Sequence, residues 1–516
     1  MRSVGRLLAL FALLALFPPV AAGCAGKRSD PEGAASTLRV LYQADERIFG
    51  PSWSVEAWFL MFLPLATFDR QGEIVPRLAR SWEHSRDFRT WTFHLRPDVR
   101  WHDGVPVSAE DVKFSIELSG HPDVLFDDPW HDVDSMAVRD DTTLVIFYGR
   151  PKDARNTWMV YWPKHLLEGL DPKRFYAWQF WTHPVGNGPY RYVRHVPKTM
   201  VELEANPEFY AGKPAIERVI IRFGEGSGIT ELLSGDVDLL TWVNPADLPK
   251  LAEDPRFRIY YQLHPDIPWL EALLWNHRHR PFGDARVRRA FTLAIDREEL
   301  RRFLNLPGEI RIADVPFTGH QYRAGVLPPA LPYDPARAAA VLETAGWHDA
   351  DEDGIREREG EPLHFKALVA PGSELEQAAV YVQAALREVG ARMEIQTLDN
   401  RVLRRRVQSG EFEAVFFPVW NSVDGHLRWI GEYSPIGYDN PEVRRLLASA
   451  QETAEPEEEE ALYRRIAPMV QADLPITFLI PQVQTYAAHR RVRGLQSPYA
   501  ADPMVFLEHL WLQPKQ

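Results

Sequence analysis

The chain has 516 residues, 45% of them hydrophobic, and a formal net charge of −13 at neutral pH. This length supplies enough apolar material for two or three packed domains. The acidic balance disfavours nucleic acid and anionic membrane surfaces as partners. Cys24 is the only cysteine in the sequence, so the part of the chain beyond it can form neither a disulfide framework nor a thiolate metal site.

The first 23 residues have the layout of a secretory signal peptide. Arg2 and Arg6 precede an apolar run over residues 7–20, which is shorter than the roughly 20 residues that a membrane-spanning helix needs. Three small residues then precede Cys24, and this arrangement resembles a bacterial lipobox, in which the thiol is acylated. We therefore predict a signal peptide over 1–23, lipid attachment at Cys24 and a small, polar tether over 24–36. An ordinary signal peptide with an unmodified cysteine is the alternative.

Alternating apolar and polar residues predict strands along the rest of the chain, and apolar residues at helical spacing predict helices. The predicted strands cover residues 38–42, 91–95, 201–204 and 219–223. The predicted helices begin after an N-cap at Ser108, cover 285–301, 335–345 and 375–389, and begin again in the acidic run 455–460. The mixture of strands and helices, without an internal repeat, indicates α/β or α+β construction.

Three separated blocks carry more specific information. They read PRLARSWEHSRDFRTWTFHLRPDVRWHDGVPVSAEDVKFSIE from Pro76, VGNGPYRYVRHVPKTMVELEANPEFYAGKPAIERVII from Val185, and WNHRHRPFGDARVRRAFTLAIDREEL from Trp275. Each block resembles the corresponding stretch of the family 5 extracellular solute-binding proteins, the peptide-binding lipoproteins of ABC importers. The blocks also follow one another in the same order as in that family. The resemblance covers nearly all of residues 38–510.

The resemblance implies an α/β fold of the two-lobed, periplasmic-binding-protein-like type, with an additional inserted domain in lobe I. Mapped onto this chain, the domains are lobe I at 37–68, 186–280 and 485–516, the inserted domain at 69–185, and lobe II at 281–484. The chain would cross between the lobes near Pro281 and near Gln484. These two crossings are the predicted hinge, and a ligand that touches both lobes would favour the closed state.

The resemblance also implies where a ligand would be held. Peptide-binding members carry an aspartate shortly after a tryptophan in lobe II, and the matching stretch here contains Trp420, Asn421 and Asp424. Asp424 follows the tryptophan by four residues, where the family pattern has three, so a plain loop residue is the alternative. A contact between an ammonium and a carboxylate is among the stronger single interactions available. Trp53 and Trp58 are further predicted ligand contacts, since indole faces suit sugar rings and cationic or aromatic side chains.

An acidic loop at 349–355 begins like a calcium loop, with carboxylates at alternate positions and glycine sixth. The twelfth position is Gly360, where a calcium loop needs a bidentate glutamate. A solvated acidic hairpin is therefore the prediction for this segment. We predict no metal site and no cofactor for the chain.

The sequence thus predicts a monomeric, non-catalytic binding protein, lipid-anchored at the periplasmic or extracellular face of the cell envelope. Its expected ligand is an oligopeptide, which it would deliver to an ABC permease and its ATPase. A secreted envelope hydrolase acting on peptides or oligosaccharides is one alternative, although the chain has no Gly-x-Ser-x-Gly elbow, His-Glu-x-x-His motif or thiol nucleophile. Binding of a non-peptide ligand such as an oligosaccharide is another, and a sensor that presents its ligand to a signalling partner is a third.

Overall fold

The computed structural model describes most of the chain beyond the predicted tether. The described residues are 36–42, 55–69, 74–124, 130, 133–152, 154, 159–197, 199–224, 226–262, 270–306, 314–315, 328–372, 374–419, 429–431, 434–453, 456–481, 483–495 and 507–513. The predicted signal peptide and Cys24 lie outside these ranges. None of the helices within them combines the length and the apolar character that crossing a membrane requires.

Strands make up three main sheets and several short pairs. In chain order they are β1 (Thr37–Tyr42), β2 (Ala66–Phe68), β3 (Ile74–Pro76), β4 (Ala79–His84), β5 (Thr90–Leu95), β6 (Val133–Asp140), β7 (Thr143–Tyr148), β8 (Tyr190–Val196), β9 (Met200–Ala205), β10 (Arg218–Phe223), β11 (Leu239–Leu240), β12 (Phe257–Gln262), β13 (Leu270–Trp275), β14 (Glu357–Arg358), β15 (Glu361–Pro362), β16 (His364–Val369), β17 (Arg392–Thr397), β18 (Ala414–Val419), β19 (Ile476–Pro481), β20 (Gln484–His489), β21 (Val492–Arg493) and β22 (Trp511–Leu512).

Helices pack against both of the larger sheets. They are α1 (Val55–Met61), α2 (Ala109–Ser119), α3 (Lys164–Leu167), α4 (Ile229–Ser234), α5 (Leu248–Glu253), α6 (Ala285–Ala294), α7 (Arg297–Phe303), α8 (Pro335–Thr344), α9 (Glu374–Glu388), α10 (Asn400–Ser409), α11 (Pro441–Gln451) and α12 (Pro456–Asp473). Short 3₁₀ helices cover Pro172–Ala177, Gln179–Thr182 and Pro245–Asp247.

The seven-stranded sheet has the order β12-β20-β11-β1-β10-β9-β8, with β1 parallel to both of its neighbours. Successive side chains of a strand point to opposite faces, and β1 accordingly serves two cores. Leu38 and Val40 enter the larger cluster, whereas Leu41 enters a smaller one with Leu232 and Leu240. The sheet is therefore buried on both faces around its central strand.

A four-stranded antiparallel sheet, β4-β5-β7-β6, forms within the segment predicted as the inserted domain. Its inward residues Trp91 and Phe93 belong to the same hydrophobic cluster as Leu38 and Val40 of β1. The segment thus has its own sheet but shares one continuous core with the seven-stranded sheet.

The five-stranded sheet has the order β17-β16-β18-β13-β19 and is covered by helices on both faces. Its strand β13, with the sequence LEALLW, is buried along its whole length and pairs with β18 and β19. The predicted end of the lobe I segment at residue 280 stays a prediction. The first passage between the two large sheets lies between Gln262 and Leu270, because an apolar strand buried on both faces needs neighbours on either side.

Most predicted elements are confirmed within a residue or two. The capping box at Ser108 is present, since its side chain accepts a hydrogen bond from the Asp111 backbone N–H and the Asp111 carboxylate accepts one from the Ser108 backbone N–H. The helix predicted over 285–301 is wrong as a single element. Ile295 is extended, and Asp296 accepts a hydrogen bond from the Glu299 backbone N–H, so a second helix begins there.

Candidate functional site

Two passages of the chain join the seven-stranded and five-stranded sheets, and the strands that flank them are paired in both sheets. β12 ends at Gln262, which pairs with Gln484 at the start of β20. β13 begins at Leu270, which pairs with Pro481 at the end of β19. The first passage runs from β12 to β13, and the second returns from β19 to β20. Neighbouring strands of one sheet are therefore connected to neighbouring strands of the other. We call the end of the five-stranded sheet that carries Leu270, Val419 and Pro481 the crossing edge.

The stretch predicted to hold the ligand begins at the crossing edge. β18 ends there at Val419, and Trp420, Asn421 and Asp424 follow in the sequence. These three residues lie outside the described ranges, as does Trp53. Their roles in ligand binding stay predictions.

Trp58 is described, and its side chain lies in the core of the unit that contains the seven-stranded sheet. It is 4% exposed, with its ring centroid 5.5 Å from that of Trp181 and 6.4 Å from that of Trp162, both in edge-to-face geometry. Phe62, one helical turn away, is 5.0 Å from it. Such aromatic pairs stabilise a core beyond the area they bury. The structure thus places Trp58 in a packed aromatic cluster, and a ligand contact at this residue stays a prediction.

A buried carboxylate that the sequence interpretation missed also lies at the crossing edge. Glu271 is the second residue of β13, directly opposite Pro418 of β18, and is 5% exposed. Burial raises the pKa of Glu271 to about 8, and the neighbouring charge of Glu374 contributes in the same direction. A single acid inside the otherwise apolar strand LEALLW is the sequence signal that could have found it.

Glu374 approaches the same edge from the first turn of α9. The pKa of its carboxyl is raised to about 7 because of burial. α9 follows β16, whose C-terminal end points toward the crossing edge because β16 is parallel to β18. Glu374 is therefore close enough to act electrostatically on Glu271, and each carboxyl group is held protonated at higher pH than usual.

Other titratable groups in the sequence blocks are architectural. His102 lies against Gly186 and Gly188, and burial lowers the pKa of its imidazole to about 4. Burial likewise lowers the pKa of His277 to about 3, and its ring contacts the Pro475 carbonyl at 3.3 Å. Both imidazoles are neutral near pH 7, and both stand against backbone. They position chain segments rather than a ligand.

The acidic loop predicted as a solvated hairpin is exposed. Asp349, Asp351 and Asp353 bring carboxylate oxygens within 4.8 Å of one another. Each of the three accepts a hydrogen bond from a backbone N–H of the same loop. These contacts are those of a turn that its own carboxylates stabilise. We therefore assign no binding site to this loop.

Comparison with known proteins agrees with this architecture. The model of the bacterial extracellular solute-binding proteins, family 5, matches residues 73–429. The nickel-binding periplasmic protein of Escherichia coli is 26% identical over 459 residues, covering 81% of this chain and 84% of that protein. The oligopeptide-binding protein AppA of Bacillus subtilis is 22% identical over 516 residues, covering 93% and 90%.

Solved structures share the fold over nearly the whole chain. NikA of Brucella suis, in complex with Fe(III)-EDTA, has a TM-score of 0.81 at 20% identity and covers 92% of this chain and 100% of that one. AppA of Bacillus subtilis, in complex with a nonapeptide, has a TM-score of 0.75 at 21% identity, covering 92% and 99%. Both belong to the two-lobed type of binding protein. The family match leaves the hydrolase alternative without support. With more than half of its residues matched by the family model, this chain belongs to the family 5 bacterial extracellular solute-binding proteins.

Proposed function

We propose that this protein captures an oligopeptide in the cleft between its two lobes and delivers it to an ABC permease. The observation that carries the proposal is the crossing edge, where the ends of the strands that flank both interlobe passages, the end of β18 and the buried carboxyl group of Glu271 lie together. Ligand sites in two-lobed proteins lie between the lobes, and closure is a hinge motion. ATP hydrolysis would belong to the partner complex.

Peptide is the ligand class that the relatives favour. AppA of Bacillus subtilis is named for oligopeptide binding and was solved with a nonapeptide. The nickel-binding relative makes a small metal complex the second candidate. Mass spectrometry of molecules that co-purify with the full chain should recover intact peptides. Peptide fragments that accumulate with time would instead support hydrolysis, and recovery of metal without peptide would favour the second candidate.

We further propose that the lobes divide at the crossings, with lobe II formed by residues 270–481. Extensive packing between described elements lies within each unit. Between the units, the Asn305 side-chain amide reaches the Pro245 carbonyl at 3.5 Å, and Arg89 lies 3.8 Å from Glu452 in an exposed ion pair. Exposed pairs of this kind contribute little free energy. Tyr261, one residue before the end of β12, also packs against the core of the five-stranded sheet, next to the first passage. Contacts of these kinds suit two bodies that move about the two passages.

Locking the lobes should impair ligand exchange. The substitutions N305C and D247C, made in a C24S background, place one cysteine on each side of the contact between Asn305 and the 3₁₀ helix at Pro245–Asp247. A short bis-maleimide would then link the two cysteines and hold the lobes together. We expect peptide uptake to slow at least tenfold, because ligand enters only when the lobes separate. Stopped-flow tryptophan fluorescence measures the rate of peptide uptake. The two single-cysteine variants treated with the same reagent are the controls, and unchanged uptake in the bridged protein would exclude the hinge.

We also propose that Cys24 carries the lipid that holds the protein at the membrane, with the folded part in the periplasm or at the outer cell surface. Replacing Cys24 with alanine should move the protein from the membrane fraction to the soluble fraction and abolish labelling by an alkyne fatty acid. An S29A substitution in the tether is the matched control. Undiminished labelling of the C24A variant would contradict lipid attachment at this residue.

A further inference from the structure

Glu271 differs from every other buried carboxylate in the described ranges. Most of these face a guanidinium, and the remaining one caps a helix and accepts a backbone N–H from another segment. They are Asp238 with Arg491, Asp314 with Arg297, Glu202 with Arg194 and Arg218, Glu508 with Arg77, and Asp111 at the start of α2. Glu508 also has a buried Oε2 without a hydrogen-bond partner among the described residues, but its Oε1 is paired with Arg77. The Oε2 atom of Glu271 is buried and has no hydrogen-bond partner among the described residues. An ionisable group buried in this way destabilises the fold unless something pairs with it.

The side chain of Glu271 points to the face of the sheet that α9 covers. Leu273 and Trp275, the next odd-numbered residues of β13, belong to the cluster that contains the buried face of α9. Leu270, Ala272 and Leu274 belong to the cluster on the opposite face. Since side chains of a strand alternate, Glu271 points toward the start of α9. Glu374, in the first turn of that helix, supplies the neighbouring charge that acts on it.

Glu271 and Glu374 lie at the crossing edge and not deep in the core of the five-stranded sheet. Glu271 is one residue from Leu270, where the chain enters the five-stranded sheet, and the β13–β19 ladder is irregular between Glu271 and Ala272. The register skips Leu479, so the extra residue lies in β19 and β13 keeps its alternation. The pair therefore stands at the crossing edge, where a ligand held between the lobes would be in reach.

We propose that Glu271 and Glu374 together bind one cationic group of the ligand, an ammonium or a guanidinium, at the crossing edge. This inference rests on the proposed function and adds a charge requirement to it. A cation would complete the hydrogen bonding of the buried carboxylate, and a charge-assisted contact of this type is strong in a site shielded from water. Perturbed carboxyl groups beside a cleft are also where binding sites are commonly found.

Binding of a cation at these carboxyl groups is coupled to the release of protons. Without a cation, burial holds the pKa of Glu271 near 8 and that of Glu374 near 7, so both carboxyl groups are mostly protonated below pH 7. A bound cation stabilises the charged forms and lowers both pKa values, which releases protons. Affinity for a ligand whose cation is a lysine or arginine side chain should therefore rise as pH increases from about 6 to about 8, since these side chains keep their charge over that range. Glu374 is the charged group that acts on Glu271, whereas burial raises the pKa of Glu374.

Four synthetic pentapeptides test the proposal: alanine hosts with a central lysine or norleucine, each with a free or an acetylated N-terminus. Calorimetry with the full chain should give at least tenfold tighter binding to peptides that carry a cation than to the acetylated norleucine peptide. Binding should release protons, seen as a heat that depends on the ionisation enthalpy of the buffer. E271Q and E374Q should each remove the preference, whereas E388Q, at the exposed end of the same helix, should retain it.

The outcomes separate this inference from the proposed function. One outcome is that the wild type binds these peptides, or those of a tryptic digest, yet shows no cation preference and no proton release. In that case the proposal that Glu271 and Glu374 bind a cation is wrong, and the proposal of peptide capture is retained. If E271Q and E374Q bind all four peptides as the wild type does, the cation proposal is equally wrong. If no peptide binds at all, both proposals fail. The proton-release measurement needs no variant, so it decides the matter even if E271Q does not fold.

Discussion

Replacing Asp238 with alanine should lower the free energy of unfolding by about 3–5 kcal/mol, the usual range for breaking a buried ion pair. Both side chains of the pair are 2% exposed, and Arg491 donates to both carboxylate oxygens at 2.8 Å. The same carboxylate accepts the backbone N–H of Arg39 at 3.0 Å. The variant would leave the guanidinium of Arg491 buried without its anion, at the ends of the central strands β20, β11 and β1.

Urea denaturation followed by tryptophan fluorescence measures this loss. The exposed pair between Arg280 and Glu359, whose atoms are 3.0 Å apart, provides the control. E359A should leave the denaturation midpoint unchanged, because exposed pairs contribute little. A D238A midpoint equal to that of the wild type would mean that the buried pair does not hold β1, β11 and β20 together.

A Gly186→Ala substitution should destabilise the protein by about 3 kcal/mol or more, at or beyond the upper end of usual overpacking penalties. A Cβ atom at this position would lie 2.0 Å from the carbonyl oxygen of Met61, which is backbone and cannot move away as a side chain could. Gly188 meets the same carbonyl group from the other side and donates its N–H to it at 2.7 Å. The bend therefore needs glycine for close approach of two chain segments.

The matched control for this glycine is Gly149. A Cβ atom there would first meet the carboxylate of Asp134, at 3.2 Å, and that side chain can rotate toward solvent. G149A should therefore unfold close to the wild type in the same urea titration, whereas G186A should show a clearly lower midpoint or fail to accumulate as soluble protein. Equal midpoints for the two variants would show that the contact with Met61 can relax.

Elements with strong local signals could be predicted from the sequence because the interactions that define them are local. The capping box between Ser108 and Asp111 is contained within four residues. The helix that ends before Gly390 stops because that residue adopts a φ of +87°, a conformation that favours glycine. The three family blocks likewise predicted the two-lobed fold, since their order along the chain is visible without coordinates.

Where several nearby residues compete, the same local reasoning failed. The apolar stripe over 285–301 continues through Ile295, yet Asp296 starts a new helix by capping Glu299. The stripe records which side chains are buried, and two successive helices packed on one core can share it. Periodicity alone could not separate these arrangements.

The sequence by itself determined the family, the class of fold and most of the element positions, because these depend on periodicity, caps and motif order. Only the tertiary structure decided that β13 joins the five-stranded sheet and that the strands flanking the two passages are paired. Strand pairing is non-local, so the sequence of a strand such as LEALLW does not indicate which strands pair with it. For the same reason the electrostatic interaction of Glu271 with Glu374, more than a hundred residues apart, became visible only once the sheet brought them to one edge.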